Sequence, residues 1–297
     1  MSALAWAVAV SVASAVCYAA AAVAQEHFAG VRRGLLRWGV PLLLTGAGAG
    51  LHIVALQFGS VGVVQALGAL TLIFALPIAA VRTRRRVTGA AWRQSWLTVG
   101  GLTGLLALST AGSGTLSGQS VRWLAILTVA AVAGLAMAAR RAATPAARSL
   151  LLAGAAGVAF GVSSVLTKAV MTALGGGLTG ASILPVAAIV GLAAAGQVLS
   201  QQSYRDAGLA GPLAMVSVAN PVVAGAIGFL LLGDGVRFGT AGTLLAVGAA
   251  VATALGVVGL AAQPAPGTAT PAEPEIRRGD SPGRSRPDVS RYAWSVG

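Results

Sequence analysis

The chain has 297 residues, 56% of them hydrophobic and only 9% charged, and its mean hydropathy is +0.83. A soluble globular domain carries about 25% charged residues, so this composition excludes water as the main solvent and makes the lipid bilayer the first expected partner. The formal net charge of +13 sits in short arginine clusters between long uncharged stretches, with no basic, aromatic-interleaved domain, so it reads as membrane topology and no nucleic-acid partner is expected.

A helix needs about 20 apolar residues to cross a bilayer. Stretches of this kind predict spans at 3–24, 39–58, 62–81, 96–112, 121–139, 150–172, 181–202, 207–232 and 239–261, an all-α integral membrane protein of about nine transmembrane helices. The first span contains Ala22-Val23-Ala24, the small residues of a signal-peptide cleavage site. No Lys or Arg precedes it, however, and Arg32, Arg33 and Arg37 follow it, the charge order of a retained helix with its N-terminus outside. Cys17, the single cysteine, lies in this span and forms no intrachain disulfide. The fourth span is diluted by Gly100, Gly101, Gly104 and Gly112. Beyond Gln263 the chain turns to Pro, Gly, Ser and alternating charge and ends RGDSPGRSRPDVSRYAWSVG, a composition that cannot bury enough apolar surface to fold. A transmembrane domain is therefore expected over 1–261, in approximate halves 1–139 and 150–261, with a disordered cytoplasmic tail over 262–297.

Orientation follows from arginine. The odd loops hold Arg32, Arg33, Arg37, Arg82, Arg84, Arg85, Arg86, Arg93, Arg140, Arg141, Arg148 and Arg205, whereas the even loops hold only Arg122, Arg237 and, at a helix end, Lys168. Arginine-rich loops stay in the cytoplasm, so a multi-pass protein of the cell membrane is expected, with its N-terminus outside and its tail inside. Within the spans small residues dominate, as in GAGAG at 46–50 and in the pairs Gly157 with Gly161 and Gly100 with Gly104. This spacing lets helix backbones approach closely and suits either a compact monomeric bundle or a homodimer.

Three segments carry a resemblance. GLHIVALQFGSVGVVQALGALTLIFALP (50–77) is similar to the first-half core of the drug/metabolite transporter (DMT) superfamily, GVAFGVSSVLTKAV (157–170) resembles the opening of the second half in its EamA-like members, and QQSYRDAGLAGPLAMVSVANPVVAGAIGFLLLGDGVR (201–237) resembles their later hairpin. The resemblance covers most of residues 1–261 and none of the tail. The glutamate usual in the closing acidic loop is Asp234 here, and the proline often found after the glutamine of the third helix is Ala66. Such proteins commonly have ten helices in two inverted halves. With about nine, this chain is closer to the NIPA-type magnesium-transporter branch. The resemblance implies an inverted repeat, and the topology agrees: the hairpin of the second and third spans faces outside, that of the seventh and eighth faces inside, and an offset of five helices reverses orientation.

Polar groups inside a span are costly and mark the default solute path. Asn220 precedes Pro221, a helix break that removes a backbone donor and frees carbonyls toward a cavity or a neighbouring helix. Gln197 and Gln201 lie one turn apart on one face and serve equally as interhelical glue or substrate contacts. His52 reads as a proton relay or as a histidine bonded to a facing helix. Gln65 opens the third span, and Lys168 either snorkels to the outer interface or marks an outer gate. We expect Asn220, Gln197, Gln201, Gln65 and His52 to line one midplane cavity. Glu26, Asp206 and Asp234, the acids before the tail, fall at helix ends or in loops, which disfavours a dehydrated divalent ion at the midplane and favours a neutral or amphipathic organic solute. No Walker loop or nucleophile motif is present, so neither an enzyme nor a cofactor is expected. The expected function is a secondary transporter moving a small organic solute by alternating access. The alternatives are a magnesium or other cation transporter of the NIPA-like type and an accessory structural membrane protein.

Overall fold

The computed structural model describes residues 2–29, 34, 36–58, 64, 67–84, 86–110, 114, 116–175, 183–205 and 207–263. One compact unit spans Met1–Ala265; a second, Pro266–Gly297, holds most of the tail expected over 262–297, of which residues 264–297 lie outside the described residues. The helices are α1 (Ala3–Phe28), α2 (Leu36–Phe58), α3 (Thr71–Thr83), α4 (Gly89–Leu108), α5 (Gly118–Arg141), α6 (Pro145–Gly175), α7 (Ile183–Ser203), α8 (Ala210–Ile227) and α9 (Gly239–Ala261). Two short strands, β1 (Ser109–Thr110) and β2 (Gly235–Val236), pair antiparallel. Among the described residues, six helices are long and apolar enough to cross a membrane: those over Ala3–Phe28, Arg37–Ala55, Gly118–Arg141, Pro145–Thr167, Ala210–Leu232 and Gly239–Ala261. This is an all-α, multi-pass membrane fold.

Local sequence explains where several helices start. Ser2, Thr88, Ser117 and Thr144 each accept a hydrogen bond from the backbone amide three residues on, at 3.1 to 3.3 Å, which satisfies one of the donors a helix start leaves open. Pro145 then occupies the first position of α6, where its missing N–H costs nothing. Thr88 moves the start of α4 to Gly89, earlier than the apolar stretch from residue 96 suggests, and Arg93 and Gln94 enter the helix. The third expected span differs most. Val64, Leu67 and Gly68 are helical, a turn follows at Ala69 and Leu70, in which Thr71 Oγ1 donates to the Gly68 carbonyl at 2.7 Å, and α3 then runs 13 residues; positions 62, 63, 65 and 66 lie outside the described residues. α8 passes into a π-helical turn, Gly228–Leu232, which Gly233 ends at φ +71°, a conformation that glycine adopts without strain.

The packing is pairwise. α1 lies mainly on α2 and then on α3; α6 lies mainly on α7 and α8 and also carries α5; α4 lies on α9. The α4–α9 seam is close enough that a β-carbon on Gly256 would fall 2.7 Å from the Thr98 amide nitrogen, and one on Gly101 2.6 Å from the Ala249 carbonyl oxygen. One apolar core joins α1, α3, α4 and α9 to Tyr204, Leu209 and Leu213, and another joins α5, α6 and α7 to Ile227 and Leu232 at the end of α8. Trp123, Ile126 and Leu127 on α5 and Leu244, Val251 and Val258 on α9 are exposed, an outer surface suited to lipid chains.

Candidate functional site

Hydrogen bonds and an ion pair bring the end of α1, the start of α2, the end of α3, the start of α6 and the end of α7 together at one end of the bundle, where most of the described interhelical polar contacts gather. Gln201, in the last turn of α7, is fully buried; its Nε2 donates to the Arg37 carbonyl at 3.1 Å, and its Oε1 has no partner. The reason lies in the sequence of α2. A helical carbonyl at 37 takes its hydrogen bond from the amide at 41, and residue 41 is proline, which has none. Gln201 supplies the missing donor from another helix. One turn away Gln197 is 5% exposed, and its Nε2 has no partner. Each unmatched buried group costs about 1–3 kcal/mol.

Around this pair the contacts are satisfied. Ser200 Oγ donates to Gln25 Oε1 at 2.9 Å, both buried, and Arg205 Nε donates to the Ala29 carbonyl at 3.0 Å. Ser203 Oγ donates to the Ser200 carbonyl at 2.6 Å, and Ser149 Oγ from α6 donates to the Ser203 carbonyl at 2.5 Å. Arg82 at the end of α3 forms an ion pair with Glu26 and donates through Nη1 to His27 Nδ1 at 2.8 Å. Tyr204, just past α7, is buried, and its phenol is pushed up to about 12 by that burial; a hydrogen bond with Ser200 opposes the shift and the Glu26 charge adds to it.

The other expected site residues divide. Asn220 is half-buried on α8, and no hydrogen bond to its side chain is formed among the described residues. α6 sits between it and Gln197. A β-carbon on Gly161 would lie 2.7 Å from the Asn220 carbonyl oxygen, and one on Gly196 would lie 2.8 Å from Cε1 of Phe160. Asn220 therefore packs on residues 157–161 of α6, and Pro221, half-buried, follows in the same helix. His52 stands apart. It is 15 residues beyond Arg37 along α2, about 22 Å at the helical rise of 1.5 Å per residue, so it and Gln201 occupy different depths and the cavity expected from the sequence is not assembled as a single chamber. Gln65 and the side chain of Lys168 lie outside the described residues. Sequence reasoning passed over Gln25, Ser200 and Arg205 as site residues. Only Pro41, which removes the helical donor to the carbonyl at 37, signalled locally that another group must arrive.

The described cavity at this end is small, about 10 Å³, and is lined by Ser149, Ala207, Gly211 and Ala261 among others. It holds a single water at most and is separate from the amide pair. The amides offer one unused donor and one unused acceptor with no net charge, the chemistry for binding an uncharged solute that carries both. No protein-family model matches the chain, and no curated protein or solved structure matches it significantly.

Proposed function

We propose that the protein is a secondary carrier that moves a small, uncharged, hydrogen-bonding organic solute across the cytoplasmic membrane by alternating access, with the arginine-rich end in the cytoplasm. The observation that carries this reading is the buried pair Gln197 and Gln201, which holds an unmatched donor and an unmatched acceptor where α7 meets α2. Unmatched polar groups in a dry site are costly, and a solute that fills them recovers that cost. Asn220 on α8, followed by Pro221, adds a third amide and a carbonyl at Ser217 that lacks its helical donor.

Further support comes from the order of packing. α1 rests on α2 and α3, α6 rests on α7 and α8, and α4 meets α9. The first relation recurs as the second five helices later, and α4 and α9 pair across that same offset, at which an inverted repeat exchanges partners. The resemblance of residues 50–77, 157–170 and 201–237 to the drug/metabolite transporter superfamily points the same way.

The test is a thermal-stability screen of the detergent-purified protein against nucleosides, amino acids, amphipathic amines and magnesium. A saturating ligand at about 100 times its Kd adds about 2.7 kcal/mol. The expected result is an upward shift with one uncharged class that disappears in Asn220→Ala and in Gln201→Ala. A shift with magnesium alone overturns the organic carrier in favour of a cation transporter.

A further inference from the structure

We infer that the hydrogen bonds from Ser200 to Gln25, from Arg205 to the Ala29 carbonyl and from Gln201 to the Arg37 carbonyl form a releasable latch that shuts the cytoplasmic end of the bundle over the amide pair, an inference that rests on the carrier reading. All three bonds cross between the halves: α7 and the residues just after it donate, and the end of α1 or the start of α2 accepts. Their acceptors are groups that the local structure leaves open. Ala29 follows the last turn of α1, where carbonyls lack intrahelical donors and a guanidinium is favoured by the helix dipole. The Arg37 carbonyl is open because residue 41 is proline. The Gln25 amide oxygen is buried and is met by the Ser200 hydroxyl.

The remaining contacts divide the latch from its supports. Arg82 holds Glu26 and His27 from α3, within the first half, and so fixes the tip of α1 that carries Gln25 and Ala29. Ser149 holds the Ser203 carbonyl from α6, within the second half, and so fixes the end of α7. Each half therefore carries its own brace at this end, and the latch bonds cross the division there together with the Thr88 hydroxyl, which donates to Gln263 Oε1 at 3.5 Å, and the apolar packing of Tyr204, Leu209 and Leu213. Among the described residues no hydrogen bond joins α1 or α2 to α6 or α8 toward their opposite ends. A rocking motion of α1–α3 against α6–α8, two groups that touch each other little, breaks few bonds at the cytoplasmic end, and it uncovers Gln201 first and Gln197 one turn deeper.

The experiment uses the full chain in inside-out membrane vesicles, with Cys17→Ser removing the native thiol and Gln197→Cys as reporter. A membrane-impermeant maleimide is applied from the cytoplasmic face. With the latch intact, labelling is slow. In the added double variant Ser200→Ala with Arg205→Ala it is expected to rise about tenfold as two bonds are lost, and Ser200→Thr, which keeps the hydroxyl, is expected to return part of the protection. Melting of each purified variant is followed in parallel. A lower melting temperature with unchanged labelling makes these bonds ordinary packing and overturns the latch, as does faster labelling from the opposite face only. Faster cytoplasmic labelling in a protein that carries none of the solutes screened upholds the latch and removes the carrier reading instead.

Discussion

Replacing Gly256 with alanine tests whether the α4–α9 seam is as close as its backbone geometry requires. A β-carbon there meets the Thr98 amide nitrogen at 2.7 Å and the Gln94 carbonyl oxygen at 2.8 Å. Both are backbone atoms of α4, so no rotamer change relieves them, and the helices must part by about 0.7 Å to reach ordinary contact at 3.4 Å. Overpacking of this kind costs about 1–3 kcal/mol, against a gain of about 1 kcal/mol from the better helix propensity of alanine. Gly248→Ala on the same helix is the matched control, because nothing lies within 4 Å of its added β-carbon. Thermal unfolding of the purified full chain, followed by tryptophan fluorescence, should show Gly256→Ala melting a few degrees lower and Gly248→Ala melting no lower than the unmodified protein. Equal shifts in the two variants, or a higher melting temperature for Gly256→Ala, refute the argument.

Gln197→Leu removes the buried unmatched amide for an apolar group of similar size and should raise the stability of the ligand-free protein by about 1 kcal/mol, while abolishing the ligand-induced shift in the screen; a fall in melting temperature means that the amide has a partner. Burial pushes the Tyr204 phenol up to about 12 from its ordinary 10.0. Because the folded state holds this proton more tightly, its contribution is fully present below pH 10 and is lost as the pH rises through 12. Tyr204→Phe should therefore flatten the decline in stability above pH 10, and an unaltered decline refutes the assignment.

Several features were legible in the residues alone. The stretches that became α1, α5, α6 and α9 were readable because length and apolarity are local properties. So was the shared face of Gln197 and Gln201, which follows from a spacing of four. In the third span, expected over 62–81, the described residues Val64, Leu67 and Gly68 are helical and a turn at Ala69 and Leu70 precedes Thr71–Thr83, a break that the apolar run does not announce; residues 62, 63, 65 and 66 lie outside the described residues. Polar helix starts misled in the other direction at α4, since Thr88 caps a helix whose first turns carry Arg93 and Gln94.

For the site, the sequence determined which groups were costly and the tertiary structure decided which were satisfied. Pro41 leaves the Arg37 carbonyl open wherever α2 lies, but that Gln201 closes it, 164 positions away, depends on how α7 meets α2. Ser200 and Gln25 are 175 positions apart and have no local signal at all. His52 looked equivalent to the glutamines because composition records no depth, and the fold separates them along α2. A polar residue in an apolar stretch announces a debt that any partner can settle, and only the packing of helices selects the partner.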